Sequence, residues 1–268
     1  MIVSCHISYI VKIIFRFTFV FLLLLPLVSC GSTQQAVIHN VFSAGDFPAL
    51  RSGWLEQDDI LKSLVKMELT TVNGYYPIKA ALMIKRPSYI RLEFIPVIGV
   101  PDFLLVSTPE KMNIFIPSKG ELYSGRPTVS NLKKFLPWPI EIEDMVMIFT
   151  GIPPAFQEKN ISYRGFQEKN LLLLEMKAPS GCSQMIWMSG DNKLIKIIRK
   201  NDVGEEIYTV KYIYGDDART IPEKITISMA DGKTLLSVDY ADVEIEKLAD
   251  LSIFRLAVPA DIKEIPLE

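Results

Sequence analysis

Histidine and cysteine are scarce in this chain of 268 residues: there are two histidines, His6 and His39, and three cysteines, Cys5, Cys30 and Cys182. Cys5 and His6 precede an apolar run that reads as a removable secretory signal, so little of either type remains downstream. A Ser-His-Asp or Cys-His centre, or a zinc site built on histidine, has almost nothing to be made from. Cys182 stands in Ser180-Gly-Cys-Ser183 ahead of a predicted strand and reads as a buried thiol. Cys30 has its own role, argued below, so no disulfide is expected within one mature chain. A Walker loop and a dinucleotide glycine fingerprint are also absent. Positive charge is in short supply as well. Removing residues 1–29 takes Lys12 and Arg16 from the 29 basic residues and none from the 31 acidic ones. That balance argues against nucleic acid as the main partner.

What is present begins with the apolar run Phe17 to Val28, which follows Lys12 and Arg16 and ends in small residues at Cys30. Its last four residues, Leu27-Val28-Ser29-Cys30, resemble the bacterial lipobox, in which a signal peptidase cuts before a cysteine that then carries acyl chains. A membrane-spanning helix needs about twenty apolar residues, more than this run supplies unless Ile7 to Ile14 are counted. A single spanning anchor, or an ordinary signal with a chance cysteine, are the alternatives. The second mature residue is Gly31 and not Asp. By resemblance to the enterobacterial sorting rule this implies an outer-membrane destination, with the protein lipid-anchored on the periplasmic face. The expected division is a signal peptide over 1–29, an acylated N-terminus and tether over 30–45, one domain over 46–255, and an extended tail over 256–268.

Leu50, Trp54, Leu55 and Ile60 come at roughly helical spacing and predict a helix from Phe47 to about Leu61. Then the period changes to two. Val65, Met67 and Leu69 alternate with Lys66, Glu68 and Thr70; beyond the turn Asn73-Gly74, Ile78, Ala80, Leu82 and Ile84 alternate with polar residues, as do Ile90, Leu92 and Phe94. These are antiparallel strands with one apolar and one wet face. Shorter strands are expected near 102–108, 111–116 and 120–125, and a longer series from 161 to 240. Between the two sets, Pro137 and Pro139 divide two predicted helices, Val129 to Leu136 and Ile140 to Thr150. Glu141, Glu143 and Asp144 fall in the first turn of the second helix, where its dipole favours them. Tyr208, Tyr212 and Tyr214 share one strand face and are expected to cover the outside of the sheet. The fold class is therefore mainly β with a helical lid (α+β). It is an incomplete antiparallel β-barrel of about 10–11 strands, since so long a sheet curls or closes, and the helices alone can cover its apolar face.

Three stretches together resemble the LolA and LolB superfamily of lipoprotein carriers and receptors, nearest the LolB type. They are the loop Phe94-Ile-Pro-Val-Ile-Gly-Val-Pro101, the segment Phe135 to Pro153 with its paired prolines, and Ile225 to Gly232 running into Leu235 to Asp239. In order and spacing the resemblance covers most of residues 60–245. It implies a half-barrel whose cavity binds the acyl chains of lipoproteins, without covalent chemistry. It also implies a protruding loop, here Val97, Ile98 and Val100, that helps deliver the cargo into the outer membrane. The loop makes independent sense, because apolar residues are an odd choice for a wet turn; the alternative is a loop folded back onto the core. The added Pro101, and some twenty residues beyond the matched hairpin, depart from the family pattern.

The expected cavity lining is Met67, Leu69, Leu82, Ile84, Leu92, Phe94, Leu105 and Ile114, with Ile225, Ile227 and Val238 from the far strands. Alternation does not distinguish a filled core from a lipid pocket. The expected lid is Trp138, Ile142, Met145, Val146 and Phe149, with Trp138 the candidate gate. No metal and no cofactor other than bound lipid or acyl chains is expected. The implied partners are acylated lipoproteins, a LolA-like periplasmic carrier and the membrane, and the implied state is a monomer. Two competing functions stand beside lipoprotein reception: binding of another lipid, a phospholipid or glycolipid, and an assembly role with no ligand. An enzyme is not expected, since the acidic pairs Asp58-Asp59, Glu205-Glu206 and Asp216-Asp217 are sequence neighbours that a strand turns to opposite faces.

Overall fold

The computed structural model describes residues 55–268 except 57, 97, 100, 139, 169, 216–220, 248–249 and 260. The expected signal peptide, Cys30, the tether, Val97 and Val100 lie outside the described residues. So does most of the predicted first helix.

Among the described residues fourteen strands form one open sheet. Six come first: β1 Asp59–Thr71, β2 Gly74–Lys85, β3 Tyr89–Ile95, β4 Leu104–Ser107, β5 Met112–Ile116 and β6 Glu121–Gly125. Two helices follow, α1 Val129–Leu132 and α2 Ile142–Phe149. The second series is β7 Ser162–Glu168, β8 Leu171–Lys177, β9 Ser183–Ser189, β10 Leu194–Lys200, β11 Glu206–Ile213, β12 Lys224–Met229 and β13 Leu235–Lys247, with β14 Lys263–Pro266 at the end. The spatial order is β14-β6-β5-β4-β3-β2-β1-β13-β12-β11-β10-β9-β8-β7. Each series is thus an antiparallel meander of strands paired to their chain neighbours. The two meet where β1 lies against β13, from Asp59↔Lys247 to Thr70↔Leu235. The helices occupy the connection between the meanders. Among the described residues no helix is long and apolar enough to cross a membrane.

Alternation sets the faces. In β1, Val65, Met67 and Leu69 are buried while Leu64, Lys66, Glu68 and Thr70 are exposed, and Ala80, Leu82 and Ile84 follow the same rule in β2. The buried face of both meanders and the apolar face of α2 form one cluster.

Three expectations need correction. The predicted helix to Leu61 fails at its end, because Ile60 and Leu61 belong to β1. They are paired on one side with Lys85 and Ile84 and on the other with Glu246 and Ile245. Ladders on both sides outweigh a weak helical period. The expected tail contains β14, which runs parallel to β6 from Lys263↔Glu121 to Pro266↔Ser124. The strand count exceeds the expected 10–11 even without β14, and the sheet stays open. Finally, Tyr208 and Tyr212 do not cover the outside; both are buried in the core under α2.

Candidate functional site

Every residue of the expected cavity lining lies on the inner face of the sheet. Met67, Leu69, Leu82, Ile84, Leu92, Leu105, Ile114, Ile225, Ile227 and Val238 are buried, and Phe94 is partly buried against them. The expected lid residues Trp138, Ile142, Met145, Val146 and Phe149 are buried in the same cluster. Side chains from α2 thus fill the middle of the half-barrel. Open space survives at both rims: about 560 Å³ beside Ser88, Pro109, Val129 and Ile142 at one, and at the other a pocket of about 550 Å³ lined by Met67, Ile78, Phe94, Pro96, Asp102 and Phe103 together with Lys66, Glu68, Pro77, Lys79 and Ile95 of the outer face. Of the expected lining, only Met67 and Phe94 border it.

The pocket exists because β2 outruns β3. Their pairing stops at Lys79↔Ile95, while β2 continues to Gly74 at the β1–β2 turn. Pro96, where the chain leaves β3, and Asp102 and Phe103, where it returns toward β4, form the facing wall. Phe94 and Phe103 stack with centroids 4.6 Å apart, and the Phe94 amide donates to the Phe103 carbonyl at 3.0 Å. The Asp102 carboxylate accepts from the Ser118 amide at 2.8 Å, which pins the base of the loop. That bonding to Ser118 holds Asp102 below its ordinary carboxylate value. Above this fixed base Ile98 is 91% exposed. The loop therefore does not fold its tip onto the core.

The helix α2 is held at both ends by hydroxyls from the sheet. Near its start the Tyr208 hydroxyl donates to Asp144 Oδ2 at 3.2 Å. Near its end the Tyr240 hydroxyl donates to the Phe149 carbonyl at 2.7 Å, satisfying one of the acceptors that a helix end leaves free. The helix then stops in a Schellman turn: the Ile152 amide donates to the Met147 carbonyl, the Gly151 amide to the Ile148 carbonyl, and Gly151 has φ +71°. A side chain on Gly151 would meet Pro222 at 2.9 Å.

Asp144 enters a polar row within the apolar face. Arg199 pairs in register with Gln184 on β9 and with Tyr208 on β11. Its guanidinium donates to Gln184 Oε1 at 3.1 Å and lies 3.8 Å from the centroid of Phe156. The Gln184 amide in turn donates to the Pro154 carbonyl, in the segment that follows α2. Burial pushes the Asp144 carboxyl up to about 6, and Glu141 and Glu143 add to this, against the opposing pull of Arg199 and the Tyr208 hydroxyl. Burial first, and then the Asp144 charge, raise Tyr208 well above an ordinary phenol. Sequence reasoning placed Asp144 only in a helix first turn and missed Gln184 and Arg199 altogether. Their signal was the phase of Gln184, which falls in step with the buried Ile186 and Met188. Trp138, the candidate gate, is buried with an indole N–H that has no partner among the described residues.

Among the described residues no group of three or more His, Cys, Asp or Glu is placed to hold a metal ion. The described residues place a partly apolar pocket at the rim that carries the exposed Ile98.

No family model and no curated protein matches the sequence. Solved structures do match the fold. An outer membrane lipoprotein-sorting protein domain from Vibrio parahaemolyticus is 12% identical with a TM-score of 0.56, over 79% of this chain and 94% of that one. A LolA superfamily protein from Nitrosomonas europaea is 15% identical with a TM-score of 0.55, over 79% and 96%. A DUF1329 family protein from Desulfovibrio piger is 12% identical with a TM-score of 0.56, over 79% and 93%. The chain is therefore mostly β, and its open sheet has the fold of these LolA-type proteins.

Proposed function

We propose that this protein is a lipid-binding lipoprotein of the bacterial envelope that receives acylated proteins and passes them into the outer membrane. It would be anchored through acylated Cys30 and would take its cargo from a LolA-like periplasmic carrier. The observation that carries the reading is the pocket bordered by Met67, Ile78, Phe94 and Phe103 at the rim where Ile98 is exposed. Its volume of about 550 Å³ lies within the range of sites that take small molecules, roughly 300–1,000 Å³. The fold shared with a lipoprotein-sorting domain and a LolA superfamily protein supports the same class of ligand.

Transfer needs no bond chemistry. Each methylene moved from water into an apolar site gains about 0.8 kcal/mol, and the same gain is available in a bilayer. A pocket that holds part of a chain is a halfway station from which the membrane can draw the cargo. Methionine at Met67 and Met145 suits a lining that must adapt to chains of varied length.

The test is the choice of ligand. The chain from Gly31 onward, lacking the anchor, is titrated with a fluorescent triacylated peptide and with a fluorescent diacyl phospholipid. Preference for the peptide is expected. Preference for the phospholipid would make this a carrier of another lipid, and binding of neither would overturn the proposal.

A further inference from the structure

The strands define two rims. One rim holds the β1–β2 turn, the 96–103 loop and the turns after β5, β8, β10 and β12; the other holds the turns after β2, β4, β7 and β9. The second rim has polar and proline tips, with Pro87 and Ser88, Pro109 and Glu110, and Asp191 and Asn192. On the first, the β1–β2 turn is built from Val72 and Asn73, and Val72 is 70% exposed. Valine is a poor choice for a two-residue hairpin turn, where asparagine, aspartate and glycine serve the backbone.

Tyrosines flank the tip on both faces. Tyr75 is opposite Thr70 on the outer face, and Tyr76 is opposite Leu69 on the inner face. Both rings are exposed. The Tyr76 hydroxyl donates to the Asn73 carbonyl at 3.2 Å, and the Tyr75 hydroxyl bonds Glu68. An apolar ring body with a satisfied hydroxyl is the side chain that settles at a membrane interface. The tip also stands free on one side, because residues 74–78 extend past the last β2–β3 pair. At about 3.4 Å per residue the overhang reaches roughly 17 Å beyond the base of the 96–103 loop.

From the observations above we infer that the β1–β2 hairpin tip, Val72 with Tyr75 and Tyr76, is a second membrane-contacting element that enters the bilayer interface together with Ile98. The partner is the lipid surface itself. This goes beyond the proposed function, which rests on the loop and the pocket, but shares its premise of an anchored protein. Two further observations favour lipid over a protein partner. Charges near the tip nearly cancel, with Lys66 and Lys79 beside Glu68 and Asp102, so attraction to a charged surface is not what draws this rim. The inner face also continues from Tyr76 through Leu69, Ile78 and Met67 to Phe94 and the pocket. That is an apolar track from bilayer to cavity. Val203, exposed at another tip of the same rim, is set among Asp202, Glu205 and Glu206 and does not share these features.

The tether permits this orientation. β1 begins at the polar rim, and residues 30–54 precede the described chain. Fully extended they span roughly 80 Å, about twice the length of β1. A chain anchored at Cys30 can therefore present the opposite rim to the membrane.

The test uses the full acylated chain in neutral phosphatidylcholine vesicles. Nitroxide labels are placed on Val72→Cys, Ile98→Cys and Asn192→Cys, each in a Cys182→Ser background, and depth is read from the relative accessibility of the label to oxygen and to an aqueous nickel complex. Circular dichroism confirms that each variant is folded. Membrane depth at positions 72 and 98, with position 192 in water, is the expected result, unchanged between low and high salt. A label at 72 as aqueous as the one at 192 would overturn the inference whatever position 98 shows. Lipid depth at 192 would overturn it too, because the contact would not then belong to this rim. Acyl-peptide binding by the same variants reports on the pocket separately, so failure of the rim and failure of the proposed function are distinguishable.

Discussion

Single residues decide two properties of this molecule. Asp144 is a half-buried carboxyl whose value stands at about 6 in the folded chain against an ordinary 3.8. Between those values the folded state holds a proton that the unfolded state has lost, so stability is full below about pH 4 and falls as pH rises through 6. The loss is on the order of 2–3 kcal/mol. Asp144→Asn keeps an acceptor for the Tyr208 hydroxyl and removes the titration. We expect the variant's gain over the parent in urea unfolding to grow between pH 4 and pH 7; a constant difference would show that this carboxyl does not titrate in the fold. Ile98 is the residue on which the proposed delivery turns. It is almost fully exposed, so Ile98→Glu is expected to change stability by no more than about 0.5 kcal/mol. A carboxylate there opposes entry into lipid, and transfer of an acylated peptide to vesicles should fall while peptide binding persists. Unchanged transfer would remove the loop from the mechanism. Ile98 was legible from sequence because five apolar residues around a glycine contradict turn chemistry. Asp144 was not, since a first-turn acid looks the same whether its carboxyl points to water or into a core.

At the scale of elements, the expected lid α2 is a short helix whose hold on the sheet is polar at its ends and apolar between. Tyr240→Phe keeps the ring and removes the bond to the Phe149 carbonyl, leaving a buried acceptor without that partner. A loss of about 1–1.5 kcal/mol is expected, with faster amide exchange in the last turn of α2 as its signature. Exchange unchanged in α2 would mean that the apolar contacts alone hold it. Gly151→Ala places a Cβ at positive φ and against Pro222, and is expected to cost about 1–2 kcal/mol or more. The sequence announced this helix well: the acids Glu143 and Asp144 of its first turn and the row Ile142, Met145, Val146 and Phe149 agree with what is seen, while the helix begins at Ile142 and not at Ile140, with Glu141 as its N-cap. Its fastening was hidden, because Tyr208 and Tyr240 lie some 60 to 90 residues downstream, as their bonds to Asp144 and Phe149 show. The same distance misled the reading of Tyr208 and Tyr212: a face is inner or outer only relative to a partner layer, and alternation does not say which.

For the whole molecule, the open sheet has two edges, β14 and β7, and their origins differ. Local hairpins built both meanders, so turn signals and alternation made most strands legible one by one. The join of β1 to β13 and the parallel addition of β14 have no turn to announce them, and these set the order of the sheet. An expected tail thus proved to be an edge strand. Its seating is specific: the Leu267 amide donates to the Ser124 carbonyl at 2.7 Å, the Leu267 side chain packs on the core, and the Asn131 side-chain amide donates to the Glu268 carbonyl at 2.5 Å. Gly125 is required beneath it, since a Cβ there would lie 2.6 Å from Leu267. Ending the chain after Val258 would remove those bonds, uncover part of the core and leave β6 as a bare edge. Ladder bonds and one apolar side chain together amount to about 2–4 kcal/mol, and an unprotected strand invites pairing between molecules. The shortened chain is therefore expected to unfold at lower urea concentration and to scatter light at concentrations where the parent does not. If it matched the parent in both, β14 would be an ornament on a sheet already complete at β6.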